Sequence, residues 1–222
     1  MLIVPYEVDT LFTRRPIANF AIVAITTIVS LMAFFGNISP STIEAMVLSG
    51  WDVSGLFGHM LLHGGWMHFI GNMMMLWIFG NAIAGIMNQF AYVLLYLFTG
   101  LIAASAQIVF DGSPAIGASG ALSGIMGVYL AVYPTNHVNV FWLWMIRAGT
   151  FEISGWLLIV AYFALDLFGV LGSADSVAHW AHVGGTVAGF VTGLALLKCG
   201  LFDRESYDLP TALDYFSGRA RM

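Results

Sequence analysis

Charge is scarce in this chain. Only 9% of its 222 residues are charged, against roughly 25% in soluble domains. No lysine or arginine occurs between Arg15 and Arg147. The net charge of −5 is spread thinly, which excludes a nucleic-acid footprint, since that needs clustered basic residues. Cys199 is the one cysteine, so no disulfide forms within the chain. The six prolines build no linker, no repeat of solenoid length recurs, and no His-Glu-x-x-His motif marks a zinc site. What is present is apolar: 59% of residues are hydrophobic and the mean hydropathy is +0.88. That combination describes a polytopic membrane protein.

Six apolar segments follow along the chain. Residues 1–15 are mostly polar and end in Arg14-Arg15, and Pro16 suits a first helical position. Residues 17–35 are long enough to span, and no A-x-A cleavage site follows them, so they read as an uncleaved first span. Residues 36–66 hold Trp51, Phe57 and Trp66. They are too apolar for a solvated loop and are placed at the membrane interface, where aromatic rings are favoured. Further spans are expected at 67–87, 90–110, 117–133, 153–171 and 177–197, with 134–152 a polar connection. The fold class is all-α, a polytopic six-helix membrane bundle. One membrane domain covers 16–200, between a short cytoplasmic segment, 1–15, and a cytoplasmic tail, 201–222.

Six spans put Arg14, Arg15, Arg147, Lys198, Arg204, Arg219 and Arg221 on one side. Glu44, Asp52, Asp111 and Asp175 fall on the other. The positive-inside rule makes the basic side cytoplasmic, with both termini there. The second, fourth and sixth spans then all start at the outer face. His68, Asn72, Ser119 and His182 therefore share a depth, one or two turns below their helix starts. The fourth span is short: residues 117–133 rise about 25 Å, against about 30 Å of hydrocarbon. Its helix is expected to begin below the surface, with non-helical backbone at 114–116 facing protein or a wet cavity.

The stretch Gly117-Ala118-Ser119-Gly120-Ala121-Leu122-Ser123-Gly124 opens that helix. Ser119, Ser123 and Gly127 share one face; on the sixth span His182, Gly185 and Gly189 do so, and Gly185-x3-Gly189-x3-Gly193 favours close helix packing. If the two faces meet, His182 can take the Ser119 proton during attack on a carbonyl and return it to a leaving amine. His68 and Asn72, spaced i, i+4, supply donors for the resulting oxyanion together with the Ser119 backbone N–H. Asp166, in the fifth span, is read as a structural hydrogen-bonding residue. His137 and His179 are read as interfacial. His59, His63 and His68 lack the carboxylate of a zinc protease, so no metal is assigned.

Three segments carry a resemblance: His63-Gly64-Gly65-Trp66-Met67-His68-Phe69-Ile70-Gly71-Asn72, Gly117-Ala118-Ser119-Gly120 and Ala181-His182-Val183-Gly184-Gly185. Together, in this order and in a six-span frame, they resemble the rhomboid intramembrane serine proteases over roughly residues 15–197. The resemblance implies Ser119 as nucleophile, His182 as general base, and His68 and Asn72 as oxyanion donors. His59 and His63 become structural residues of the outer loop, and Gly117, Gly120 and Gly185 structural residues near the site. It implies a Ser–His dyad without a catalytic acid, and no cofactor. Three departures stand out. Trp51 is followed by Asp52 where many members have Trp-Arg. Ser123 occupies a position where some members place an aromatic ring against the base. Ala84 stands where a glutamate commonly follows the second span.

The reading is a serine endopeptidase that cuts peptide bonds in or near transmembrane segments. Its partners are single-span or multi-span membrane protein substrates and the lipid bilayer, with no nucleic acid and no implied oligomeric state. Its expected location is the bacterial inner membrane, with the active site opening to the outer face. The alternatives are a catalytically silent rhomboid-like binding protein and a small transporter. The intact Ser119, His182, His68 and Asn72 set weighs against the first, and the scarcity of charges within the spans and of internal repeats against the second. Topology is directly testable at Cys199. A membrane-impermeant thiol reagent should label it in inverted vesicles and spare it in intact cells; labelling from outside overturns the both-ends-inside arrangement.

Overall fold

The first long helix buries the wrong residues for a protein in water. In the computed structural model, which describes residues 2–10, 13–145, 147–172, 176–203 and 209–218, α1 (Ile17–Phe34) buries Ala18, Asn19, Thr26 and Ser30. It exposes Ile17, Ile25, Ile28 and Met32. An apolar exterior around a polar stripe suits hydrocarbon, where polar groups must find partners inside the protein. Among the described residues, four helices are long and apolar enough to cross a membrane: Ile17–Phe34, Trp66–Ala84, Gln89–Phe110 and His179–Lys198. The shorter apolar helices Ser119–Val132 and Gly155–Val170 complete the six expected positions.

After α1 the chain forms α2 (Pro40–Met46) and α3 (Val53–Gly58) in the connection expected at the interface. Both have side-chain caps: Ser39 accepts the Thr42 N–H and Asp52 the Gly55 N–H. A 3-10 turn, His59–Leu61, follows. The second span is not one regular helix. It runs as α4 (Trp66–Met75), a π turn (Leu76–Gly80) and α5 (Asn81–Ala84). Asn19 reaches this wide turn from α1. Its Nδ2 donates to the Leu76 carbonyl at 3.0 Å and to Asn81 Oδ1 at 2.8 Å, while Tyr92 donates to its Oδ1 at 2.7 Å. Gly80 leaves room for this knot, since a Cβ there would overlap the Asn19 side chain.

Asn88 caps α6 (Gln89–Phe110), accepting from the N–H groups of Phe90 and Ala91. α7 (Ser119–Val132) has 14 residues, shorter than the expected 117–133. At about 1.5 Å per residue it covers only about 21 Å. Every α7 residue except Ser119, Ser123 and Leu130 is buried, so this helix is the centre of the molecule. α8 (Gly155–Val170) exposes Leu165, Leu167 and Phe168, and α9 (His179–Lys198) packs against α7 and α6.

The α7–α9 contact is backbone on backbone. A Cβ at Gly189 would overlap the Gly124 carbonyl, one at Gly185 the Gly120 carbonyl, and one at Gly127 the Thr186 carbonyl. The two small-residue faces read from the sequence therefore meet. Such proximity maximises van der Waals contact where no hydrophobic drive between helices exists.

Three regions outside the expected spans carry more structure than polar segments. Residues 134–152 were expected as a connection, and 1–15 as a cytoplasmic segment. Instead β1 (Leu2–Val8), β2 (His137–Trp144) and β3 (Arg147–Ser154) form an antiparallel sheet in the order β1-β2-β3. The register pairs Val8 with Val138 and His137 with Ser154. Val138 and Val140 are buried, and the β-branched and aromatic run of β2 suits a pleated half-buried surface. Within 201–218, Phe202 is buried, Asp203 pairs with Arg14, and a Thr211–Asp214 capping box starts α10 (Ala212–Phe216), which packs on α7 and α9. Asp175, Arg204, Arg219 and Arg221, used above to orient the chain, lie outside the described residues.

The glycine interface yields a stability prediction. Gly189→Ala should lower the Tm in detergent, because overpacking of a close contact typically costs about 1–3 kcal/mol. Gly71 has nothing near its absent Cβ, so Gly71→Ala should leave the Tm unchanged or raise it slightly. Equal Tm values for Gly189→Ala and the wild type would contradict the packing argument.

Candidate active site

Ser119 is the first residue of α7, and the chain that leads to it is tightly strapped. Leu48 and Ala115 exchange backbone hydrogen bonds of 3.0 and 2.9 Å, and the Gly117 N–H donates to the His59 carbonyl at 2.8 Å. Gly117 has φ +129, a conformation that favours glycine. A Cβ there would also lie 2.7 Å from Cε1 and Nε2 of His68. Glycine is thus required twice, by the backbone and by the ring beside it. The leading N–H groups of α7, that of Ser119 included, have no acceptor within the helix.

His68 and Asn72 project from α4 one turn apart, and His182 lies in the first turn of α9. All four side chains line one cavity of about 900 Å³. Its wall includes residues 114–116 and 176–178, so the non-helical backbone before α7 does face a cavity, as the short span required. A narrower cavity of about 280 Å³ leads on from the same four residues between α4 and α8, past Met75, Met126, Ile159 and Phe163. The site therefore sits where a larger vestibule meets a smaller slot.

Asn72 is 7% exposed, and its Nδ2 has no hydrogen-bond partner. A buried amide donor left open costs about 1–3 kcal/mol. The Asn72 residue also lines both cavities.

His59 and His63 lie behind this wall, both buried. His59 Nδ1 donates to the Gly55 carbonyl at 2.8 Å. Ser30 donates its hydroxyl proton to the Leu61 carbonyl at 2.8 Å, so its oxygen accepts from His63 Nδ1–H at 2.9 Å. That fixes the His63 tautomer, and its Nε2 is left buried without a partner. The His63 ring meets His68 edge-on, with centroids 5.1 Å apart. Burial, aided by repulsion from His68, pushes the His63 pKa down to about 4. Burial also lowers that of His59, against the opposing effect of its backbone hydrogen bond to Gly55.

One carboxylate stands beside the His182 ring. Asp166 Oδ1 lies 2.8 Å from His182 Nδ1 and 2.8 Å from His179 Nδ1. Asp166 and His182 line the narrow cavity together. His179, expected to be merely interfacial, packs its ring against Gly169, where a Cβ would overlap it. Asp166 sits near the end of α8 that adjoins the start of α9. The available signal was the single carboxylate in the otherwise apolar α8. Asp166, His179 and His182 also form a group with ligand atoms within 4.8 Å of one another, but both imidazole donors already engage the carboxylate. Ser119, His182, His68 and Asn72 come together, with Gly117 against the His68 ring and Gly120 and Gly185 at a close backbone contact. No hydrogen bond joins the Ser119 hydroxyl to the His182 ring among the described residues.

Residues 50–199, more than half of the chain, match the family model described as Rhomboid domain. The chain belongs to the rhomboid family. It is 31% identical over 179 residues to RHOMBOID-like protein 1 of Arabidopsis thaliana, covering 76% of this chain and 42% of that protein. It is 32% identical over 170 residues to RHOMBOID-like protein 6, mitochondrial, of the same plant, covering 72% of this chain and 51% of that protein. It is 29% identical over 148 residues to Rhomboid protease GluP of Bacillus subtilis (strain 168), covering 65% of this chain and 27% of that protein. The chain thus spans about a quarter to a half of the length of these relatives. Rhomboid membership and the apolar helices make it an integral membrane protein.

The buried histidines behind the site predict a pH-dependent stability. The folded pKa of His63 lies below its unfolded value of 6.5. Between 6.5 and about 4 the unfolded chain therefore binds the extra proton. Stability is full above that window and falls as the pH descends through it. The Tm of His63→Gln in detergent should fall less between pH 7 and 4.5 than that of the wild type; parallel slopes would remove His63 as a cause.

Proposed function

We propose that this rhomboid protein is a serine endopeptidase that cleaves other membrane proteins in or near their transmembrane segments. The observation that carries the reading is the shared cavity wall. Ser119 at the start of α7 and His182 in the first turn of α9 face it, with the unpartnered Asn72 amide beside them. Ser119 Oγ attacks the substrate carbonyl while His182 Nε2 takes its proton. The same proton passes to the leaving amine, and a water activated by His182 then releases the acyl group. His68, Asn72 Nδ2 and the Ser119 N–H receive the oxyanion.

The two cavities divide the labour. The larger one brings water to a site inside the membrane domain. The slot between α4 and α8 accepts an apolar substrate side chain and lies toward the exposed aliphatic and aromatic residues of α8. A substrate segment must leave its helix before the serine can reach a peptide carbonyl, which favours segments weakened by Gly or Pro. The reading places both termini in the cytoplasm of a bacterial inner membrane, the vestibule opening to the outer face, and no cofactor in the reaction.

A fluorophosphonate probe should label Ser119, and Ser119→Ala should abolish labelling and cleavage together. Asn72→Ala should lower kcat about 10²–10³-fold with a smaller change in KM, as loss of one oxyanion donor does. Ser123→Ala should stay active. Robust cleavage of a single-span substrate by Ser119→Ala would end the serine-protease reading.

A further inference from the structure

α8 is apolar along its whole length except for one carboxylate, Asp166. A carboxylate in such a helix is costly unless donors reach it. Two do, both from α9, and both on the same oxygen: His179 Nδ1 and His182 Nδ1, each at 2.8 Å. All three side chains are largely shielded, with exposures of 14% for Asp166 and His179 and 16% for His182. The two rings stand edge to face, with centroids 6.3 Å apart. A neutral imidazole has one donor and one acceptor nitrogen, and the partner of one nitrogen decides the state of the other. An ionised carboxylate only accepts, so the His182 proton is held on Nδ1 and the lone pair on Nε2.

We propose that Asp166 is a positioning residue for His182. It fixes the tautomer in which Nε2 is free to take the Ser119 proton, and it stabilises the imidazolium that forms. His179 holds the carboxylate from its other side, so that Oδ1 cannot turn away from His182. The inference rests on the Ser119–His182 reading above. It turns the expected dyad into a triad whose third member comes from α8, a helix that also walls the narrow cavity. No group is consumed: the proton moves from Ser119 Oγ to His182 Nε2 and on to the leaving amine, and Asp166 stays ionised throughout.

The test uses the full chain in detergent, with nitrogen-15-labelled histidine. In the wild type, the His182 ring should be protonated at Nδ1, with a low-field proton signal that disappears in His182→Ala. A wild-type ring protonated at Nε2 overturns the inference without any further variant. Asp166→Asn keeps the shape but lets the amide donate to Nδ1, which drives the proton to Nε2. It should lower kcat by about 10²–10⁴-fold, with KM changed less than about threefold. His179→Ala, which leaves Asp166 in place, should lose less. In Asp166→Ala, added formate or acetate should restore part of kcat, an effect that a purely structural role would not give. Unchanged kcat and an unchanged His182 signal in Asp166→Asn overturn the positioning role while Ser119 labelling still supports the dyad. If fluorophosphonate fails to label Ser119 in the wild type, the serine-protease reading itself fails.

Discussion

The rest of the structure depends on how closely α7 and α9 approach. Gly185 and Gly189 face Gly120 and Gly124; one added carbon at Gly185 or Gly189 would fall on a backbone carbonyl, and at Gly120 or Gly124 on Ala103 or Thr99 of α6. Between helices in lipid, burying apolar surface gains little, because the lipid is as apolar as the helix; contact between backbones supplies the association instead. This spacing also places Ser119 and His182. Ser119 starts one helix and His182 lies in the first turn of the other, so the glycine seam brings their ends to a common cavity. A larger residue in the seam would move the serine and the histidine apart before it touched either.

Polar groups inside the bundle fall into two kinds. Asn19 donates to Asn81 and to the Leu76 carbonyl and accepts from Tyr92, joining α1, α5, α6 and the π turn. Ser30 and His63 tie α1 to the segment before α4, and Thr99 returns its hydroxyl to its own helix and to the Ala121 carbonyl. These are joints, and their hydrogen bonds replace the water that the bilayer lacks. Asn72 and Asp166 differ. One has a donor without a partner, and the other gathers two imidazoles onto one oxygen. Both line the cavities, which is where a membrane protein can use an unsatisfied or charged group for function rather than for cohesion.

The sheet and the segment after α9 close the opposite end of the bundle from Ser119. β1 pairs with β2 across more than 120 residues of chain, and the buried Asn136 donates to the Asp9 carbonyl at the same junction. Phe202 enters the core there and Asp203 meets Arg14. The exposed ion pair adds little on its own; the strand pairing and the buried ring fix these segments.

The sequence by itself determined what repeats along one segment. The six apolar runs, the glycine faces at spacing four, and the His68–Asn72 pair are all local patterns, because helix geometry converts spacing into a shared face without any knowledge of neighbours. The shortness of the Ser119 helix and the cavity before it were legible for the same reason, from a count of residues against bilayer thickness. Only the tertiary structure decided what meets across the chain. The bond from Asp166 to His182 joins two helices, and the position of the carboxylate in the sequence carries no trace of the ring it accepts from. The sheet was missed because β1 holds no complete alternation alone and gains its meaning from β2, which lies far along the chain. Local periodicity fixes which face a residue takes; which face lies opposite is settled by packing of all the helices at once.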